Sequence, residues 1–96
     1  MCVSVLIPAF NEEERIKVTI ETVFSLKEIE EVIVIDDGST DATYEQAVQT
    51  DAKVIRLMSN QGKGAALNQG LNKIMGEFIL LLDADLGRSA IEATKL

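Results

Sequence analysis

A doubly wound α/β domain built on a parallel sheet is the fold class this sequence predicts, and three observations predict it. Short, largely apolar runs recur at residues 3–7, broken only by Ser4, and at 32–35 and 78–82, which are apolar throughout. Such runs suit strands buried on both faces, as in sheets covered by helices on either side. Between them lie segments with apolar residues at helical spacing, so strand and helix alternate and right-handed crossovers follow. Finally, each strong strand candidate runs into polar or acidic residues: Pro8-Ala9-Phe10-Asn11-Glu12, Asp36-Asp37-Gly38 and Asp83-Ala84-Asp85. In open parallel sheets, ligands bind beyond the carboxyl ends of the strands.

In chain order, residues 3–7 form a β-branched first strand ended by Pro8, the only proline. Asn11 is positioned to cap the next helix, with Glu14 three residues on as a variant capping box and Glu12, Glu13 and Glu14 in the first turn, where the helix dipole favours negative charge. Ile16, Ile20, Val23 and Phe24 make a single apolar stripe on that helix. A second strand opens at Glu31 and runs through Ile35. Gly38 then allows a tight turn, and Ser39, Thr40 or Asp41 caps a short helix reaching about Val48. A weaker third strand covers residues 54–57, followed by a polar, glycine-rich loop, Ser59-Asn60-Gln61-Gly62-Lys63-Gly64. The next helix places Leu67, Leu71, Ile74 and Met75 on one face and stops at Gly76. The fourth strand, residues 78–82, leads to a last helix start at Ser89 and Glu92, another capping box. The expected order is 3-2-1-4, half of a Rossmann-like sheet, which brings the ends of strands one, two and four to one crevice.

Composition bounds the function. At 96 residues and 47% hydrophobic, the chain has the makings of one small globular core. Nine Lys plus Arg against 16 Asp plus Glu give a net charge of −7, which argues against a nucleic-acid surface, since that would need clustered positive charge. The absence of histidine removes it as metal ligand, general base or triad member within this chain. The single cysteine, Cys2, cannot form an internal disulfide, which fits a reducing compartment; no apolar stretch approaches the length of a transmembrane span, and the N-terminal residues lack a signal-peptide pattern.

The chemistry concentrates at the strand ends. Asp83 and Asp85, delivered from an apolar strand, repel one another unless a positive charge lies between them, and a hard divalent cation is the natural partner for oxygen donors. Taken alone, the Asp-x-Asp pattern is equally at home as turn or cap chemistry, as is Asp36-Asp37-Gly38. The convergence of three polar clusters on one crevice is what favours a ligand site. Familiar phosphate loops fail: Gly62-Lys63-Gly64 lacks the Walker spacing, and a dinucleotide fingerprint would need glycine where Leu67 stands. Lys63 remains a cation beside a helix N-terminus, a place for pyrophosphate; its plain alternative is a solvated loop lysine.

Together, Pro8-Ala9-Phe10-Asn11-Glu12-Glu13, Asp36-Asp37-Gly38-Ser39-Thr40-Asp41, Asn60-Gln61-Gly62-Lys63-Gly64 and Asp83-Ala84-Asp85 resemble the successive motifs of family-2 glycosyltransferases of GT-A fold, nearest to the dolichyl-phosphate-mannosyltransferase-like branch. The resemblance covers nearly the whole chain. It implies a nucleotide-diphosphosugar site, for a UDP- or GDP-sugar, in which Pro8, Ala9, Asn11 and Glu12 lie along the nucleoside pocket. Asp37, with Asp36 beside it, hydrogen-bonds the base, and Lys63 and Gly64 lie near base and ribose. Asp83 approaches the ribose and the metal shell, Asp85 ligates Mg²⁺ or Mn²⁺ on the pyrophosphate, and Ala84 between them belongs to the nucleotide-sugar site. The activity implied is inverting, metal-dependent sugar transfer to an acceptor hydroxyl, on a lipid phosphate or a saccharide, in the cytoplasm or at the cytoplasmic face of a membrane.

Relatives of this kind carry the acceptor pocket and general base in a second half. Residues 1–96 are therefore expected to be the donor-binding part of a domain truncated at its C-terminus, inactive alone, with an open sheet edge prone to self-association. The main alternative is a nucleotide-sugar-binding module without turnover. A sugar nucleotidyltransferase would want a glycine- and arginine-rich loop after strand one. A phosphoacceptor receiver would want its acid pair there and a lone aspartate after strand three. Neither pattern is met.

Overall fold

Strand β1 (Val3–Ala9) lies at the centre of a four-stranded parallel sheet ordered β3-β2-β1-β4, with β2 (Ile29–Asp36), β3 (Lys53–Arg56) and β4 (Phe78–Leu81). The structure is a computed structural model that describes residues 3–71, 78–81 and 84. Helices α1 (Ile16–Phe24), α2 (Thr43–Val48) and α3 (Lys63–Leu71) fill the connections. Alternate side chains of the central strands enter two separate cores, as the two-residue period of a strand requires. On one face Val5, Ile7, Ala9, Val32 and Val34 pack with Ile16, Ile20 and Val23 of α1 and Ala47 of α2. On the other, Leu6, Ile33 and Ile35 pack with Ala66 of α3. Leu6, Ile7, Ile33 and Ile35 are fully buried, and each contributes about 1.5–3 kcal/mol relative to exposure. The apolar runs thus become strands because both sides of the sheet are covered.

Several element ends differ from the sequence expectation. β1 does not stop before Pro8 but continues through it to Ala9, with Pro8 opposite Ile35 and Ala9 opposite Asp36. Proline is tolerated because Ala9 turns its carbonyl toward β2, where it accepts the Asp37 N–H at 2.8 Å. The imino nitrogen of Pro8 therefore faces the other side, where the described pairing with β4 ends at Leu6 opposite Leu81. Asn11 is not a helix cap. It takes a left-handed conformation (φ 55), and α1 begins at Ile16 after a turn in which Arg15 and Ile16 give their N–H groups to the Glu12 carbonyl. Phe24, expected in the buried stripe, is half-buried at its end.

β2 begins at Ile29 rather than Glu31 and takes in Asp36; β3 is shifted back one residue to Lys53–Arg56. The residue before α2 is Ala42, which has no capping side chain. Asp41, one position earlier, accepts the Thr43 N–H instead. Gly64 belongs to α3 rather than to the preceding loop, and the turn is made at Gly62 (φ 95). Leu71 stays 47% exposed; α3 approaches the sheet through Ala66 and Gly70. A Cβ on Gly70 would lie 2.7 Å from Ile35 Cδ1 and 3.1 Å from Leu6 Cδ2, so the helix sits as close as glycine allows. Ile74, Met75, Gly76, Leu82, Ser89 and Glu92 lie outside the described residues. Among the described residues no helix is long and apolar enough to cross a membrane.

Candidate functional site

The β2–α2 loop grows out of a strand that ends in two acids, and the pleat sends them to different places. Asp36 is fully buried, and its Oδ1 accepts the Ser39 N–H at 3.0 Å, closing the turn around Gly38 (φ 74). Its Oδ2 has no hydrogen-bond partner among the described residues and forms an ion pair with Arg56, whose Nε is 3.8 Å away. The Arg56 guanidinium lies 4.6 Å from the centroid of the Tyr44 ring, a cation–π contact that holds it over the strand ends.

Asp37 faces the next loop. Its Oδ1 accepts the Gln61 N–H at 2.7 Å and its Oδ2 accepts the Gly62 N–H at 2.9 Å. These are charge-assisted bonds from backbone amides that no helix or strand would otherwise satisfy. Gly38 lets the two loops touch: a Cβ there would fall 2.5 Å from Asn60 N and from the Ser59 carbonyl carbon.

Pro8, Ala9, Phe10, Asp37, Asn60 and Gly62 together line a cleft of about 230 Å³ at the C-terminal ends of β1 and β2. Its walls offer proline and alanine surface, an aromatic ring that is 43% exposed, a carboxylate and an amide side chain. An apolar hollow with a few fixed polar groups suits a planar, hydrogen-bonding ligand.

The β1–α1 loop stands beside this cleft and is sewn to the β2–α2 loop. Asn11 N–H donates to Ser39 Oγ at 2.9 Å, Glu12 N–H to Thr43 Oγ1 at 2.8 Å and Glu13 N–H to Asp41 Oδ2 at 3.3 Å. In return Thr40 N–H donates to Asn11 Oδ1 at 2.9 Å and Ala42 N–H to Glu13 Oε2 at 3.2 Å. The loss of solvent around Asp41 works to raise its pKa. The Thr43 hydroxyl and N–H and the Glu13 N–H outweigh that, and hold the carboxyl below its ordinary value.

The structure therefore brings some of the expected residues together and separates others. Pro8, Ala9 and Asp37 share the cleft. Asn11 and Glu12 border a second hollow with Glu13, Glu14, Arg15 and Asp41, and Asp36 is turned into the strand-end packing. Lys63 is the first residue of α3 and Gly64 the second. Asp83 and Asp85 lie outside the described residues. Ala84, between them, is buried against the α1 side of the sheet, and its carbonyl accepts the Thr19 hydroxyl at 3.0 Å. Among the described residues no group of three Asp, Glu, Cys or His side chains could hold a metal. Asp83 and Asp85, the expected metal ligands, lie outside those residues.

Sequence reasoning gave no role to Phe10, Asn60 or Gly62 in lining the cleft, nor to Thr19. Phe10 carried a signal, as a large aromatic residue stranded among polar neighbours just after a strand. Thr19 carried none, because threonine on the inner side of a helix looks like ordinary core.

A family model described as Glycosyl transferase family 2 matches residues 4–87. Among curated relatives, the poly-β-1,6-N-acetyl-D-glucosamine synthase of Staphylococcus epidermidis is 40% identical over 88 residues, covering 86% of this chain and 21% of that protein. The dolichyl-phosphate β-glucosyltransferase of Homo sapiens is 40% identical over 98 residues, covering 85% of this chain and 30% of that protein. Among solved structures, the glucosyl-3-phosphoglycerate synthase of Mycobacterium tuberculosis in complex with Mn²⁺, UDP and phosphoglyceric acid superposes with a TM-score of 0.77 at 33% identity. It covers 86% of this chain and 32% of that one. The same enzyme with Mg²⁺ and UDP gives 0.75 at 32% identity, over 86% and 33% of the two chains. The fold is that of GT-A glycosyltransferases. The chain spans about a fifth to a third of the length of these proteins.

Proposed function

This chain belongs to glycosyl transferase family 2, and on that footing we propose that it forms the donor-binding part of an inverting, metal-dependent glycosyltransferase. Residues 1–96 bind a nucleoside-diphosphate sugar in this reading, and the acceptor site and general base belong to the remainder of a longer domain. The observation that carries it is the cleft between Pro8, Ala9 and Phe10 on one side and Asp37 on the other, at the strand ends. A nucleobase would lie against the Pro8-Ala9-Phe10 side with its edge toward Asp37. Each Asp37 oxygen already accepts one backbone amide, yet a carboxylate has about four lone-pair sites. It can still accept a base imide N–H. UDP is the nucleotide present in the M. tuberculosis enzyme that superposes on this chain, and a uracil imide is a donor of that kind.

Asn11 and Glu12 brace the β1–α1 loop along the nucleoside, and Asp36 holds the turn from which Asp37 projects. Lys63 and Gly64 open α3, and the backbone amides of a helix N-terminus suit ribose and phosphate. Asp83, Ala84 and Asp85 form the metal corner, with Asp83 and Asp85 as the carboxylates that hold Mg²⁺ or Mn²⁺. When bound, the cation supplies Lewis-acid neutralisation of the departing diphosphate. The acceptor is a lipid phosphate or a saccharide, as the names of the human and staphylococcal relatives suggest. A cytoplasmic setting, at a membrane face for a lipid acceptor, fits the lone cysteine. Among the described residues β3 and β4 are the outer strands, and strand pairing at such an edge would be one route to a homo-oligomer.

Calorimetry with UDP, GDP and their sugars, with and without Mn²⁺, tests the proposal. The expected result is UDP binding that Mn²⁺ strengthens and Asp85→Ala returns to the metal-free level. Binding indifferent to both the metal and Asp85 would count decisively against it.

A further inference from the structure

We infer that Asn11 is a positioning residue for the nucleobase: its left-handed backbone and its tethers to the β2–α2 turn hold the Phe10 ring in the cleft. The inference rests on the nucleotide reading of that cleft. Phe10 lines it beside Pro8, Ala9 and Asp37, yet stays 43% exposed. A large aromatic side chain that the core leaves uncovered is stacking surface for a base. Its neighbour Asn11 has φ 55 and is the one non-glycine residue with positive φ among the described residues.

Two hydrogen bonds fix Phe10 from either side. The Ala9 carbonyl, in the peptide before it, accepts the Asp37 N–H at 2.8 Å. The Asn11 N–H, in the peptide after it, donates to Ser39 Oγ at 2.9 Å. Each peptide is planar, so with both flanking planes held the direction of the Phe10 Cα–Cβ bond is set. Both partners belong to the turn that carries Asp37. The aromatic wall and the carboxylate of the cleft are therefore located relative to one another.

The second anchor depends on Asn11. Its Oδ1 accepts the Thr40 N–H at 2.9 Å and the Thr40 hydroxyl at 3.3 Å, so residue 11 is gripped by side chain as well as backbone. The grip is made at a positive φ, which asparagine and aspartate tolerate better than other residues with a Cβ. An alanine here would be driven back toward negative φ and would lose the Thr40 bonds as well. The Phe10–Asn11 peptide would then rotate, and the ring with it. Loss of the Ser39 hydroxyl alone leaves the φ preference and the Thr40 bonds in place, so the ring keeps its aim in Ser39→Ala.

The experiment compares the unsubstituted chain with Asn11→Ala, Asn11→Gly, Asn11→Asp and Phe10→Leu, at a temperature where thermal melts show each to be folded. UDP affinity is measured by calorimetry. The shifts of the uracil H5 and H6 protons on binding report the ring, because an aromatic ring current acts on protons stacked against it. Phe10→Leu should remove most of that shift and weaken binding about 10-fold. Asn11→Ala should diminish the shift and weaken binding about 5-fold. Asn11→Gly keeps access to the backbone angle but not the Thr40 bonds, and should fall between the alanine variant and the unsubstituted chain. Asn11→Asp keeps both, and should recover affinity and shift together. Full affinity and full shift in Asn11→Ala would overturn the inference while leaving the cleft reading intact, by making Asn11 a residue of stability alone. Asn11→Gly decides in the same way if the alanine variant does not fold. Failure of Asn11→Asp to recover would also overturn it. If UDP does not bind the unsubstituted chain, or its uracil shifts ignore Phe10→Leu, the nucleotide reading of the Phe10 wall fails, and this inference with it.

Discussion

On one flank of the β2–α2 loop, Asn11, Glu12 and Glu13 give their N–H groups to three different side chains, Ser39, Thr43 and Asp41. On the other flank, Gln61 and Gly62 give theirs to a single carboxylate, Asp37. The two flanking loops have the same task, since each must satisfy backbone amides outside regular structure. They meet it differently. The β1–α1 loop is held redundantly and also returns bonds through Asn11 and Glu13. Among the described residues, the Gln61 and Gly62 amides of the β3–α3 loop are both held by one residue that also lines the cleft. A side chain serving both a loop and a ligand couples the two, so whatever binds at Asp37 senses the order of residues 60–62.

The largest effect is expected from Asp37→Ala, which leaves both amides without their acceptor. It should destabilise the chain by about 2–4 kcal/mol, since bonds to charged groups are the strong ones and water recovers part of the loss. Urea unfolding measures this, and hydrogen exchange should show the amides of Gln61 and Gly62 losing protection. If those amides exchange as before, the asymmetry between the two loops is not real. Gly38→Ala comes next. Its positive φ and the 2.5 Å approach to Asn60 N should lower stability by about 2 kcal/mol and weaken UDP binding. A neutral outcome in both would show that the loops are not in contact.

Ser39→Ala tests the redundant side. Only one amide of the β1–α1 loop loses its acceptor, so about 1 kcal/mol is expected, with UDP affinity nearly unchanged. A loss as large as that of Asp37→Ala would remove the contrast. The smallest effect concerns acidity. Asp41 has a depressed pKa in the folded chain, so its contribution is present above the ordinary value of 3.8. It is lost as pH falls through the lower folded value. Asp41→Asn should therefore flatten the acid limb of a stability–pH profile below about pH 4. An unchanged acid limb would show that the bonds from Thr43 and Glu13 do not favour the charged form.

The sheet was legible in the sequence for a definite reason. Residues 32–35 must bury both faces, and only continuous apolar character achieves that. The α1 stripe was legible because Ile16, Ile20 and Val23 obey the helical period and do become core. What stayed hidden depends on partners far along the chain. Pro8 looks like a terminator until Ala9 is seen paired with Asp36. Asn11 looks like a cap until its side chain is found accepting from Thr40. Leu71 looks like core until Gly70 and Ala66 are seen carrying the contact of α3 with the sheet. Within the site, the acidic motifs announced themselves by composition. The division of labour between Asp36 and Asp37 did not, because neighbouring residues on a strand look equivalent in one dimension and face opposite ways in three.

The most direct test is an amide-shift map of the ¹⁵N-labelled chain titrated with UDP. The cleft account predicts that the largest changes fall on Ala9, Phe10, Asp37, Gln61 and Gly62, and that Asp37→Ala abolishes them. Changes centred instead on the amino-terminal ends of the strands, around Ser4, Glu31 and Lys53, would contradict it.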